Sequence, residues 1–166
     1  MRDADEDLPG LLYSTDRTRV FRLPATGTGP ALVRKQALGQ HARRRLRHEA
    51  AVLRRLRHVP GVTRLAEEDL DGLALILEET GGQTLGARLA GTGPLPPTDV
   101  ILLASRLSQV LADVHRAGVI HRDISPANVM VRDDGRPVLV DFDLATTAAE
   151  VRPAFLTAQD IAGTMP

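Results

Sequence analysis

The chain of 166 residues is long enough for one ordinary domain, and its 43% hydrophobic content can form a core although only 2% is aromatic. Its net charge of zero gives no support for a nucleic-acid partner, and the absence of cysteine excludes disulfides and thiol chemistry. No apolar run is as long as a membrane helix, and the acidic N-terminus has the wrong sign for a secretory signal, so we expect a cytoplasmic protein without a membrane partner.

Three short strands are predicted near the start of the chain: Leu11–Tyr13, Arg19–Leu23 and Ala31–Gln36. A short link joins the first two, and a turn rich in Gly and Pro joins the next two. Strand alternation places Val33 and Lys35 on the same face of the third strand. Lys35 is the only lysine among 21 basic residues, which favours a chemical role over that of a solvated strand lysine.

A helix is predicted from His41 to His58, because apolar residues recur there at helical spacing: Leu46, Ala50, Leu53 and Leu56. Its many arginines are interpreted as a solvated face and not as a nucleic-acid surface, because no aromatic residues interleave with them. A second hairpin, Val62–Glu68 with Leu73–Leu77, completes five strands. Leu85–Ala90 is predicted to be a short helix.

A longer helix is predicted from Asp99 to Ala117, after a turn at Pro94–Pro97, with Thr98 as the candidate N-cap. Its apolar stripe consists of Val100, Leu103, Leu107, Leu111 and Val114, and Gly118 ends it. We expect His115 to lie in or near the packed side, and Val119 and Ile120 to form a buried connection to His121.

The stretch from His121 to Asp143 concentrates oxygen-bearing side chains. Its loop carries Asp123 and Asn128, and a predicted hairpin follows: Val129–Val131, a turn at Asp133–Gly135, and Val138–Val140, which delivers Asp141. Mg²⁺ prefers oxygen ligands, and phosphoryl transfer depends mainly on positioning and charge neutralisation. The stretch therefore predicts metal-dependent phosphoryl transfer, whereas the alternative is a surface hairpin rich in turn-forming Asp and Asn.

The letters H-R-D-I-S-P-A-N, followed by D-F-D, resemble the catalytic loop and the D-F-G triplet of the protein kinase family. The resemblance implies an α+β, two-lobed fold, with a five-stranded antiparallel N-lobe and an αC helix, and an incomplete, mostly helical C-lobe. The N-lobe and the start of the hinge are expected at residues 1–80, and the partial C-lobe at 81–166. The helix sequence further resembles bacterial kinases fused to a regulatory ATPase.

The same resemblance implies roles for individual residues in binding ATP and Mg²⁺. Asp123 is expected to be the base, Arg122 to brace the activation segment, and Asn128 and Asp141 to hold the metal. Lys35 is expected to reach the α- and β-phosphates while paired with Glu49. The adenine site is expected to comprise Val20, Val33, Leu77, Glu78, Thr80 and Met130. His121 is expected to pack beneath the D-F-D triplet, in which Phe142 keeps the packing residue.

The chain also departs from the family pattern. The glycines of the phosphate-covering loop are replaced by Tyr13, Thr15 and Thr18. Hydroxyls or backbone N–H groups of Ser14, Thr15 and Thr18 are the expected substitutes. Ser125 replaces a lysine, and Asp143 replaces the glycine of D-F-G, which suggests a stiffer segment or a further carboxylate near the metal. In the activation segment, Thr164 is expected to contact Asp123, and the candidate phosphorylation sites are Thr146, Thr147 and Thr157.

Three functions remain open at this level. The first is an ATP- and Mg²⁺-dependent serine/threonine protein kinase domain acting on a protein substrate, as a fragment of a longer polypeptide with further domains. The second is an inactive pseudokinase or a truncated nucleotide-binding or regulatory module. The third is a small-molecule kinase of the aminoglycoside or choline type, against which Arg122 and Phe142 argue.

Overall fold

The computed structural model describes residues 10–24, 29–68 and 72–147, which form the α+β architecture that the sequence predicts. The elements follow in the order β1 (Leu11–Ser14), β2 (Thr18–Arg22), β3 (Leu32–Ala37), α1 (Ala42–Arg55), β4 (Leu65–Glu68), β5 (Ala74–Glu78), β6 (Gln83–Thr84), α2 (Leu85–Thr92), α3 (Pro97–Arg116), β7 (Val119–Ile120), β8 (Val129–Val131), β9 (Pro137–Leu139) and β10 (Thr146–Thr147).

Five of these strands form one antiparallel sheet in the order β1-β2-β3-β5-β4, which confirms the five predicted strands. The alternation in β3 is visible in its burial, because Val33, Lys35 and Ala37 are buried while the residues between them are partly exposed. The predicted start of the fourth strand at Val62 is wrong. Val62 instead forms an isolated parallel bridge with Leu139, and the strand begins at Leu65.

Helix α1 packs its apolar face on the sheet, as its periodicity predicts. Leu46, Ala50 and Leu53 are buried, together with Glu49 on the same face. The helix is shorter than predicted at both ends. His41 precedes it in a left-handed backbone conformation, and Leu56 follows it as a buried C-terminal cap.

Helix α3 is correctly predicted, and four of its five stripe residues lie in the core or pack against it, but Val100 and the start of the helix differ from the prediction. The buried residues are Val110 and Val114, whereas Val100 is 48% exposed and His115 is also exposed. Pro97 occupies the first helical turn, where proline loses no hydrogen bond, so Thr98 is not the N-cap. No helix in the described part of the chain has both the length and the apolar character that a membrane crossing needs.

The predicted hairpin is present as β8 and β9, and it also pairs with β6. Its second strand ends at Leu139, one residue earlier than predicted. The Leu139 N–H donates to Gly61 O (2.8 Å), and the Thr63 N–H donates to Leu139 O (3.0 Å). These bonds attach the hairpin to the segment that enters β4 and so fix the position of Asp141. The β7 strand pairs with β10, and the expected burial of Ile120 is wrong because its side chain is exposed.

Candidate functional site

A cavity of about 500 Å³ lies between the five-stranded sheet and the β8–β9 hairpin. Its walls are largely apolar, and its polar end is formed by Lys35, Asn128 and Asp141. Nine predicted site residues line it: Val20, Val33, Lys35, Leu77, Glu78, Thr80, Asn128, Met130 and Asp141. Three others, Glu49, Arg122 and Asp123, do not line the cavity. A second cavity, of about 460 Å³, lies behind residues 78–80 and includes only Glu78 and Thr80 of this set.

Lys35 is held at the polar end by two carboxylates. Its Nζ donates to both Glu49 oxygens and to Asp141 Oδ1, each at 2.7 Å. The Lys35 and Glu49 side chains are only 7% and 1% exposed, respectively. Strand β3 and helix α1 thus deliver opposite charges to one buried point, which is the contact expected from the sequence.

Burial and neighbouring charges have opposing effects on the pKa values of Lys35 and Glu49, and the balance between them differs for the two residues. Burial lowers the pKa of Lys35, but the charges of Glu49 and Asp141 outweigh it and leave the pKa above its ordinary value. Burial raises the pKa of Glu49, and the Lys35 charge offsets only part of that effect. Lys35 is therefore a cation at neutral pH, and its position depends on the carboxylate partners that face it.

Asp123 and Asn128 are joined within the loop that precedes β8. Asn128 Nδ2 donates to Asp123 O (3.1 Å) and to Asp123 Oδ2 (2.8 Å). Both amide hydrogens are therefore used, and the remaining side-chain atom, Oδ1, is an acceptor. Asn128 can thus orient the Asp123 carboxylate while its own oxygen stays suited to a cation.

His121 lies beneath this loop and supports it. Its ring centroid is 4.4 Å from that of Phe142, its Nε2 donates to Val140 O (3.1 Å), and Asp123 N donates to its Nδ1 (3.3 Å). This pattern of one donor and one acceptor requires the neutral ring. Burial lowers the pKa of His121, which favours that same neutral form.

Backbone strain is concentrated at the same place. Three described non-glycine residues have positive φ: His41 (65°), Arg122 (68°) and Asp141 (63°). Two of the three belong to the predicted catalytic loop and metal-binding segment. Such conformations persist only where surrounding contacts hold them, and they cluster at functional sites.

The link between β1 and β2 is closed by its own threonine. The Thr15 hydroxyl accepts from the N–H groups of Arg17 (3.2 Å) and Thr18 (3.0 Å), and the Thr15 N–H donates to Thr18 O (2.8 Å). A side-chain turn of this kind replaces the backbone freedom of glycine. The Thr15 hydroxyl expected to contact phosphates is thus already used within the turn.

The segment after β5, residues 78–82, borders the apolar end of the cavity. The N–H of Glu78 donates to Arg64 O (2.9 Å), and that of Glu79 donates to Ala31 O (2.7 Å). Glu79 also accepts from both Nε and Nη2 of Arg22, at 2.6–3.2 Å. This ion pair, which no local sequence pattern predicts, joins β2 to the segment beside the cavity.

Asp143 forms an ion pair with helix α1. Its Oδ2 lies 3.3 Å from Nη1 of Arg45, on α1. Asp143 does not line the cavity. Arg45 could have been suspected because it precedes Glu49 by four residues, so that both lie on one helix face.

The activation-segment expectations are only partly within the described residues. Thr146 and Thr147 form β10. Thr157 and Thr164, including the contact expected between Thr164 and Asp123, lie outside the described residues.

Comparison with known proteins gives consistent matches. The protein kinase domain model matches residues 21–165. The serine/threonine-protein kinase PkaA of Streptomyces coelicolor is 38% identical over 109 residues, covering 63% of this chain and 20% of that protein. PknL of Mycobacterium tuberculosis is 40% identical over 75 residues, which cover 45% of this chain and 19% of that protein. The probable serine/threonine-protein kinase PknB of Corynebacterium glutamicum is 29% identical over 168 residues, which cover 95% of this chain and 26% of that protein. The chain therefore spans about a fifth to a quarter of the length of these relatives.

Proposed function

Because this chain belongs to the protein kinase domain family, we propose that it transfers a phosphoryl group from ATP, with Mg²⁺, to serine or threonine hydroxyls of a protein. The observation that carries the proposal is the convergence of Lys35, Asn128 and Asp141 at the polar end of an apolar cavity. A cavity of this form suits a ligand with an aromatic base at one end and phosphates at the other.

Lys35 is assigned to the nucleotide phosphates. Its ammonium group is a compact charge with three donors, two of which Glu49 aligns from the buried side. Asp141 bonds the same ammonium from the cavity side. Lys35 therefore needs no reorganisation from the buried side when phosphates bind, and Glu49 acts as its anchor.

The donor set at the polar end fits Mg²⁺. Asp141 supplies a carboxylate and Asn128 an amide oxygen, and Mg²⁺ in proteins commonly takes one or two such groups together with substrate phosphates. When bound, the metal supplies charge neutralisation for the transferred phosphoryl group. We assign Asn128 and Asp141 as its protein ligands.

Asp123 is assigned as the group that orients and deprotonates the attacking hydroxyl. Asn128 fixes one of its carboxylate oxygens, and the loop below it rests on His121. Arg122 is exposed beside it and is assigned to brace the activation segment. Transfer then requires in-line placement of the hydroxyl, for which the fixed carboxylate is suited.

The adenine base is assigned to the apolar part of the cavity. Val20 and Val33 cover it from the sheet, and Met130 lies on the hairpin side. Since Glu78 and Glu79 already use their N–H groups, the backbone of Thr80 is the expected donor to the base edge. Glu78 contributes its carbonyl to the same edge.

Nucleotide binding and transfer can be tested separately. ATP should raise the melting temperature in the presence of Mg²⁺, and Asp141→Ala should abolish the metal-dependent part of that shift. Asp123→Ala should leave the shift intact and abolish phosphate transfer to a protein. Asp134→Ala, in the exposed turn of the hairpin, is the control and should change neither. No metal-dependent shift in the wild-type chain would refute the proposal.

A nucleotide-binding protein without transfer is the second candidate. Ser125, in place of a lysine that contacts the γ-phosphate, favours it. Metal-dependent binding without transfer to any protein would support this candidate. We further propose, from the greater length of the relatives, that the chain functions together with further domains.

A further inference from the structure

Arg45 connects three separate segments around the metal-binding end of the cavity. Its Nη1 lies 3.3 Å from Asp143 Oδ2, and its Nη2 donates to Leu38 O (2.8 Å) and Arg17 O (3.1 Å). The side chains of Arg45 and Asp143 are only 15% and 17% exposed. One guanidinium thus joins the β1–β2 link, the end of β3 and the segment that follows Asp141.

Two further contacts run from the same helix face to the same segment. Phe142 N donates to Glu49 Oε1 (3.3 Å), and His48 Nε2 bonds Ala145 O (2.6 Å). Residues 45, 48 and 49 are spaced by three and four positions and therefore share a face of α1. Together they contact positions 142, 143 and 145, which follow Asp141 directly.

Asp141 needs such support because its own backbone is strained. Its φ is 63°, a left-handed conformation that is unfavourable for most residues with a side chain, although aspartate adopts it more readily than most. Strain of this kind persists only where neighbouring contacts fix the chain on both sides. On one side the hairpin fixes it through Leu139, and on the other side Phe142 N is bonded by Glu49 and the Asp143 carboxylate is paired with Arg45.

We infer that Arg45 and Asp143 are positioning residues that hold the Asp141 carboxylate in the orientation required for metal binding. The inference rests on the proposed function, since it assigns a role toward the proposed metal site. Neither residue contacts the cavity, and each acts through the backbone of the segment between them. A purely structural pair would affect stability without changing how strongly the site uses Mg²⁺.

The test uses the full chain and measures binding of a non-hydrolysable ATP analogue by titration calorimetry, with Mg²⁺ and with a chelator. The variants are Arg45→Gln, Asp143→Asn and the double variant. We expect each to weaken the Mg²⁺-dependent affinity by at least about 10-fold, as is typical when groups that orient metal ligands are removed. Affinity in the chelator should stay unchanged, because the wall residues and Thr80 are untouched. The double variant should lose no more than either single variant.

Two controls separate positioning from folding. Arg44→Gln lies on the exposed side of the same helix and should leave both affinities unchanged. Arg45→Lys keeps a cation opposite Asp143 and should recover part of the Mg²⁺ dependence. Melting temperatures without nucleotide show whether each variant is folded, and if one of Arg45→Gln and Asp143→Asn does not fold, the other carries the comparison.

The outcomes distinguish this inference from the function on which it rests. If wild type binds the analogue without any Mg²⁺ dependence, the proposed function fails and the inference fails with it. If wild type shows that dependence and Arg45→Gln and Asp143→Asn keep it, the inference alone is overturned. Additive losses in the double variant would also overturn it, because they would show that the two residues act separately.

Discussion

Replacing Lys35 and Glu49 singly and together tests how the buried charges stabilise the chain. Lys35→Met leaves Glu49 without its cation in a site that is almost closed to solvent, and Glu49→Leu leaves Lys35 with Asp141 alone. Removing one partner of a buried pair costs about 3–5 kcal/mol. We expect about 3 kcal/mol for each single variant, since Glu49 can take up a proton and Lys35 keeps one partner.

The double variant should behave differently from the sum of the single variants. Replacing a buried pair by apolar side chains of similar volume is often neutral or stabilising. Asp141 then loses the Lys35 bond, but its side chain is partly solvated and tolerates the loss. We therefore expect the double variant to lie within about 1 kcal/mol of wild type, which gives a coupling of about 5–7 kcal/mol between the two residues.

Urea unfolding measures these free energies. A loss of 1 kcal/mol lowers the melting temperature by about 2–4 °C for a chain of this size, so each single variant should melt about 6–12 °C below wild type. The control is the exposed pair of Asp134 and Arg136, 3.7 Å apart with side chains 50% and 76% exposed. Its variants, Asp134→Asn and Arg136→Gln, should couple by less than about 1 kcal/mol. Additive losses at Lys35 and Glu49 would refute the reasoning, because they would mean that neither charge depends on the other.

Three further outcomes are expected. Burial lowers the pKa of His121, so the unfolded chain takes up a proton before the folded chain does as the pH falls through about 6.5. The free energy of unfolding, measured with urea, should therefore fall between pH 7.5 and 5.5. His121→Gln should flatten that dependence on pH. Gly82→Ala should destabilise the chain by more than about 3 kcal/mol, since the added Cβ would overlap a backbone oxygen of β8. Gly81 has a similar φ but open space around it, so Gly81→Ala should cost about 1–2 kcal/mol. Equal losses of unfolding free energy in urea would contradict this prediction. Val114→Ala should cost about 2 kcal/mol in the same assay and Ile101→Ala less than about 0.5 kcal/mol, and a reversed order would place the wrong face of α3 in the core.

The local periodicity of the sequence was sufficient to predict most of the elements. The alternation around Lys35 and the helical spacing around Glu49 identify the elements that bring the two residues together. The errors lie mainly at element ends and at single positions of a predicted face. Val100 fits the apolar stripe of α3 by spacing, yet it is exposed because the helix packs on β7 and β9 through its later turns.

Contacts between distant segments could not be predicted from periodicity. The Arg22–Glu79 pair and the Arg45–Asp143 pair each join residues that no local pattern relates, 57 and 98 positions apart. In the sequence, Arg45 is one of many arginines on an amphipathic helix. Only the packing of α1 against the segment after Asp141 distinguishes it from its solvated neighbours.

The aspartate at position 143 shows how a departure from a motif can be compensated elsewhere in a fold. Glycine at that position would allow the segment to change conformation at little cost. Asp143 instead carries a charge that Arg45 binds, and Arg45 also holds the β1–β2 link, which has no glycines and closes through Thr15. The Arg45 guanidinium thus contacts both parts of the chain that differ from the family pattern, Asp143 and the β1–β2 link. With fewer flexible positions around the site, fewer contacts are needed to keep the site in one conformation. Helix α1 supplies these contacts through Arg45.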